Sequence, residues 1–168
     1  MRAFIITLAF AFLSSTAMAQ QAPAPAAPEA DKTFTPATDV MALIAKAKAD
    51  LKPGSPMISG RILHLEPYNV NLEYRVAVGP AAVHEKNAEL FYVIDGSGTF
   101  TTGGKLVKET RTNAENLTGT GIEGGASRDV AKGDFLIVPQ NTPHWVSKIN
   151  GTLILMSIWL PRPVPGRS

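Results

Sequence analysis

The chain has 168 residues, 45% of them hydrophobic, a formal net charge of +2 and no cysteine. That length supports one domain with a core of its own and is short for two. Without cysteine there is no disulfide and no thiolate metal site, and with no run of Lys and Arg there is no nucleic-acid footprint. The expected partner is a small-molecule substrate or ligand, with no nucleic acid.

Residues 1–19 read as a secretory signal peptide. Met1-Arg2 is a positive start, Ala3 to Leu13 is an apolar run, and Ala17-Met18-Ala19 places small residues where a signal peptidase cuts. The run is too short to span a bilayer and lacks a stop-transfer flank. Cleavage is expected after Ala19, giving a periplasmic or secreted protein with no membrane attachment after cleavage and, without Arg2, a net charge near +1. Residues 20–36 follow as a Pro/Ala-rich linker, since Gln20 to Ala30 (QQAPAPAAPEA) offers nothing to bury.

From Thr38 the spacing predicts a helix. Thr38 can cap it and Asp39 sits in its first turn. Val40, Leu43, Ile44, Ala47 and Leu51 share one face, and Lys52-Pro53-Gly54 ends it. Strands follow. Asn69 to Val78 alternates strictly, which would turn Val70, Leu72, Tyr74, Val76 and Val78 inward and leave Arg75 solvated; continued past Gly79-Pro80, the same parity turns Ala82 and His84 inward too. Leu90 to Ile94 is apolar on both faces, as a strand between two layers should be. Asp95-Gly96-Ser97-Gly98 predicts a hairpin turn. Further strands are expected over Phe135–Val138, His144–Ile149 and Thr152–Leu160. Gly103 to Lys132 reads as one long Gly-rich connection, either a lid or a solvated insert, and contains the sequon Asn116-Leu117-Thr118. Many short strands with Gly/Pro turns argue for a sandwich or barrel over residues 37–165.

The chemistry concentrates in two stretches. His84 and Glu89 should flank a turn between strands, and His144 should open a strand after the turn Pro139 to Pro143. Two imidazoles and a carboxylate on rigid strand ends suit a divalent transition metal (Fe, Mn, Ni, Zn or Cu) with positions left open for substrate. His84, Glu89 and His144 are therefore the candidate metal ligands. No separate catalytic residue and no organic cofactor site is identifiable.

From about Arg61 to Pro161 the chain resembles the cupins, whose motifs read G-x5-H-x-H-x3–4-E-x6-G and G-x5-P-x-G-x2-H-x3-N. Gly133, Pro139 and His144 fit the second motif, with Asn141 in place of its glycine and Lys148 in place of its last Asn. Glu89, Gly96 and His84 fit the first, while Ala82 stands at its first His and Val76 at its leading Gly. The resemblance implies an all-β double-stranded β-helix (jelly-roll, cupin) barrel with one N-terminal helix. It also implies a metal site reduced from four ligands to three. Glu85, of opposite strand parity to His84, is not expected to replace the missing ligand, and His64 is read as solvated or structural. Tyr74, Tyr92 and Trp145 read as core or wall aromatics, with Tyr74 and Phe91 of the right parity to line the interior near the metal.

Two functional readings stay open. One is an exported metal-dependent enzyme on a small organic molecule, of dioxygenase, decarboxylase, isomerase or lyase type. The other is a non-catalytic cupin binding a sugar or organic acid. A storage or structural role through a homodimer is a lesser third, permitted by strands that are apolar on both faces.

Overall fold

Two long strands run through the whole fold and belong to both of its layers. They are seen in a computed structural model that describes residues 29–161; the signal peptide, residues 20–28 of the linker and residues 162–165 lie outside the described residues. In chain order the elements are α1 (Ala37–Asp50), β1 (Met57–Leu65), β2 (Tyr68–Arg75), β3 (Ala81–His84), β4 (Asn87–Thr102), β5 (Lys105–Val107), β6 (Thr110–Arg111), β7 (Asn116–Gly119), β8 (Gly121–Glu123), β9 (Ala126–Ala131), β10 (Phe135–Val138) and β11 (His144–Pro161). The long pair is β4 and β11, antiparallel from His144 opposite Thr102 to Pro161 opposite Asn87.

One layer has the order β1-β2-β11-β4-β10 and uses the second half of β11 with the first half of β4. The other has the order β6-β7-β3-β11-β4-β9 and uses the remaining halves. Strands β5 and β8 form a separate two-stranded ribbon. The interior between the layers is filled by Phe91, Val93, Phe100, Val130, Val138, Val146, Leu153 and Leu155.

Asp95-Gly96-Ser97-Gly98 is not a turn. It is the bend in β4 where the strand leaves one layer for the other, opposite a register shift between Ile149 and Leu153. Gly96 has φ +82, and a Cβ there would lie 1.9 Å from the Thr152 carbonyl oxygen; at Gly98 it would lie 2.4 Å from that of Lys148. The two backbones touch where side chains would stand, so the glycines serve close approach rather than chain reversal. The expected strands over 144–149 and 152–160 are accordingly one strand, β11.

Residues 103–132 are not one open connection either. They hold five short strands, β5 to β9, joined by tight turns in which Gly103, Gly104 and Gly124 take positive φ. β7 extends one layer beside β3, and β9 flanks β4. The expectation failed because strands of two to six residues carry too little periodicity to stand out among Gly and polar residues.

The helix starts at Ala37 after Pro36, whose backbone is extended; Thr38 lies inside the first turn and no side chain caps the end. Asp39 in that turn complements the helix dipole. The apolar face packs as the spacing predicts: Val40, Leu43, Ile44, Ala47 and Leu51 cover Ile62, Leu72, Tyr74 and Ile154 on the outer face of the first layer. On the sheet side, the buried Ile62, Leu72 and Ile154 each contribute roughly 1.5–3 kcal/mol, and the half-buried side chains of the helix contribute less. Just before the helix, Lys32 pairs with His64 and Thr35 Oγ1 donates to the Ile62 carbonyl at 2.6 Å, so residues 32–35 lie along β1.

The helix reverses the reading of β2. Leu72 and Tyr74 face α1, and Asn71, Glu73 and Arg75 face the barrel interior. Cross-strand pairing agrees, because Glu73 lies opposite Leu155, a member of the inner cluster. The strand ends at Arg75, and Val76 and Val78 are exposed. A sheet covered on both faces lets either parity be the inner one, so alternation alone could not choose.

Gly133 has φ +96 with open space around a built Cβ, whereas Gly96 combines positive φ with a backbone neighbour. Gly133→Ala should therefore lose only the left-handed penalty, roughly 1–2 kcal/mol. Gly96→Ala should lose clearly more, as read by urea unfolding of the two variants side by side.

Candidate metal centre

His84 is the last residue of β3, Glu89 lies in the first half of β4 and His144 opens β11. The turn after Pro139 is closed by Asn141, which takes φ +56 as the left-handed position requires, and its N–H donates to the His84 carbonyl at 2.8 Å. That bond ties the two histidine-bearing turns together. The imidazole centroids lie 5.2 Å apart, with the ring planes tilted by 48°.

Both Nε2 atoms approach the same oxygen. His84 Nε2 lies 3.1 Å and His144 Nε2 lies 3.2 Å from Glu89 Oε2. The other carboxylate oxygen accepts from Trp159 Nε1 at 3.0 Å, and the Trp159 ring lies 4.4 Å from that of His84. The far nitrogens are committed elsewhere: His84 Nδ1 to Asn116 Oδ1 at 2.6 Å, and His144 Nδ1 to the Thr142 carbonyl at 3.2 Å. Asn116 is itself oriented, since its Nδ2 donates to Asn113 Oδ1 at 2.9 Å. With Nδ1–H donating in each ring, each Nε2 is the atom left to bind a cation.

Glu89 and His144 are buried and His84 nearly so. Burial opposes ionisation of Glu89, but its contacts with His144 and His84 outweigh it and pull the carboxyl down to about 2. For His84, burial works against the charged ring, but Glu89 and Asn116 overcome it and raise the pKa above 6.5. In the metal-free protein, Glu89 thus stabilises the fold above pH 4.5, an effect lost as pH falls toward about 2. His84 stabilises it below pH 6.5, an effect lost as pH rises through its raised value.

The donor set fits a metal. One atom from each of His84, Glu89 and His144 lies within 4.8 Å of the others. The observed 3.1–3.2 Å spacings suit donors that share one cation, since each bond to it is about 2.0–2.2 Å. Ala82 lies directly opposite His144 on the neighbouring strand and borders the same cavity, so a larger side chain there would join the ring of donors.

The cavity is about 350 Å³ and contains the three donors, Phe91 and, on its β2 wall, Glu73 and Arg75. A larger one of about 560 Å³, between Pro56, Val78 and Thr118, has Lys108 as its single titratable lining residue. Arg75, expected in solvent, lies inside; Tyr74, expected near the metal, lies under the helix. Phe91 is where its parity placed it. Tyr92 packs on Phe135 with centroids 4.6 Å apart, and Trp145 Nε1 donates to the Gly79 carbonyl at 2.8 Å; both are wall residues. Glu85 pairs with Arg111 at 2.7 Å, away from the cluster. His64 is a buried structural residue, its Nδ1 2.6 Å from Asn69 Oδ1. Sequence reasoning missed Asn116, Glu73, Arg75, Ser157 and Trp159. Of these only the polar run Asn71, Glu73, Arg75 at strand spacing left a readable signal.

No protein-family model and no curated protein matches the chain. Solved structures do. A protein from Bacillus halodurans superposes with a TM-score of 0.50, at 15% identity over 82% of this chain and 87% of that one. The DMSP lyase DddQ from Ruegeria pomeroyi DSS-3 also gives 0.50, at 14% identity over 83% and 70%. The fold is the double-stranded β-helix of the cupins. At such identities the likeness concerns the cupin fold and not an activity. A cupin superfamily protein from Desulfitobacterium hafniense DCB-2 is more remote, with 12% identity over 69% of this chain and 87% of that one and a TM-score of 0.46.

His84→Ala and His144→Ala should each abolish stoichiometric metal retention after reconstitution while leaving the circular dichroism spectrum unchanged, as elemental analysis will show. Asn116→Leu should weaken metal binding by about 10–100-fold through loss of ring orientation, and Ala82→His should tighten it. Because His84 must lose a proton to bind, affinity should rise with pH until the raised His84 pKa is passed. Calorimetry in buffers of different ionisation enthalpy should show the released proton.

Proposed function

We propose that this protein is an exported enzyme that uses one divalent transition metal held by His84, Glu89 and His144 to act on a small organic molecule. The convergence of two imidazole Nε2 atoms on one buried carboxylate oxygen, in the wall of a cavity, carries the reading. When bound, the metal supplies a Lewis acid for a substrate oxygen. That suits decarboxylation, isomerisation or lyase chemistry, or dioxygenation if the metal is iron. The lyase activity of the similar Ruegeria pomeroyi protein is compatible with this range.

The chain's own residues do the positioning. Asn116 and Thr142 hold the ring tautomers, Trp159 fixes the free oxygen of Glu89, and Phe91 gives the cavity an apolar wall that limits water. Export rests on the signal pattern of residues 1–19.

A second reading, a non-catalytic binding cupin for a sugar or organic acid, is favoured by one observation. Both carboxylates of the cavity are already engaged, Glu89 by the imidazoles and Glu73 by Arg75 and Ser157, so no free base stands by. Elemental analysis of protein recovered from the exported fraction, followed by O₂-uptake and product screens on small organic acids and phenols, separates the two. Stoichiometric metal with turnover supports the enzyme, whereas metal without turnover supports the binding module. Protein that stays metal-poor after reconstitution ends the metal reading.

A further inference from the structure

Glu73 and Arg75 are two residues apart on β2 and share its inward face. Glu73 is 8% exposed. Arg75 Nε and Nη2 each lie 2.7 Å from Glu73 Oε2, and Ser157 Oγ donates to Glu73 Oε1 at 2.9 Å. Both carboxylate oxygens are thus taken, but only one edge of the guanidinium is used. The edge formed by Nη1 and the second Nη2 hydrogen has no protein partner among the described residues, and Arg75 borders the cavity that holds His84, Glu89 and His144. A buried ion pair is a poor way to stabilise a core, where apolar residues do as well or better. A guanidinium edge is, however, a two-pronged match for a carboxylate.

Charge points the same way. With neutral imidazoles, Glu73, Arg75 and Glu89 give the cavity a net charge near −1, which repels anions. A divalent cation changes this to about +1, which one monoanion neutralises.

We propose that Arg75 anchors the carboxylate of a small monoanionic organic acid in this cavity, with Glu73 pinning the guanidinium in place. The inference rests on the metal reading above, because the cation sets the sign of the cavity. It names the substrate class that reading leaves open: an organic acid presenting its carboxylate to β2 and its remaining atoms to the metal ligands.

The test titrates lactate, with neutral lactamide as the isosteric control, into full-length mature protein. Binding is followed by calorimetry and by the intrinsic fluorescence of a Trp145→Phe background, in which Trp159, lining the cavity, is the remaining tryptophan. Metal binding is measured first in every sample and scored separately. Arg75→Met alone would strand Glu73 without its partner, so the informative variant is Arg75→Met with Glu73→Gln, which keeps the net charge of the cavity and removes the guanidinium. Metal-loaded wild type should bind lactate at least about tenfold more tightly than this double variant and more tightly than lactamide. Equal lactate affinity in wild type and the double variant, or equal affinity for lactamide, overturns the proposal while leaving the metal site intact. If metal fails to bind, the metal reading falls. The anchor, which needs the cation to set the sign of the cavity, then falls with it.

Discussion

A buried carboxylate must be compensated, and here one oxygen of Glu89 is shared by two imidazoles while the other takes the Trp159 indole N–H. Removing such a charge from water costs several kcal/mol unless its partners are held in place. The carboxylate and its partners come from three elements. Glu89 belongs to β4, His84 ends β3, and His144 and Trp159 lie near opposite ends of β11. Pairing of β4 with β11 sets Trp159 opposite Glu89, pairing of β3 with β11 sets His84 near His144, and the packing of one layer on the other brings the two groups together. The same arrangement that solves the electrostatic problem of the apo protein places three donors at the spacing a cation needs.

That pairing demands a specific backbone. Where β4 and β11 pass from one layer to the other, Gly96 and Gly98 sit against the carbonyls of Thr152 and Lys148, closer than any side chain would allow. Glycines that look like turn formers in the sequence are contact points between two strands. The interior cluster of Phe91, Phe100, Leu153 and Leu155 packs around this crossing. The stability of the barrel and the convergence of the site therefore depend on the same few positions.

The helix has an indirect role in the chemistry. By covering Leu72 and Tyr74 on the outside of the first layer, it releases the other face of β2 to carry Asn71, Glu73 and Arg75 into the cavity. An uncovered β2 would have had to turn its apolar face inward. The polar wall opposite the metal ligands is thus a consequence of a two-sided sheet, and the ion pair of Glu73 with Arg75 keeps that wall neutral.

Much was legible in the residues themselves. Period-2 alternation, Gly/Pro punctuation and the helical stripe from Val40 to Leu51 identified an all-β sandwich or barrel with one helix, because these patterns record which side chains must leave water, and the resemblance to the cupins narrowed this to a barrel. His84, Glu89 and His144 stood out because their residue types beside rigid turns have few other uses together. Other features were invisible at that level. The face of β2 that points inward depends on what covers the sheet. The short strands between Gly103 and Lys132 exist because neighbours pair with them, β7 with β3 and β9 with β4. Asn116 reads as a sequon but orients an imidazole 32 positions away in sequence. Sequence by itself determined which residues seek the interior and which can bind a cation, since hydrophobicity and ligand chemistry are properties of single side chains. Only tertiary structure decided which of them meet, because contact between distant residues is set by strand pairing and layer packing.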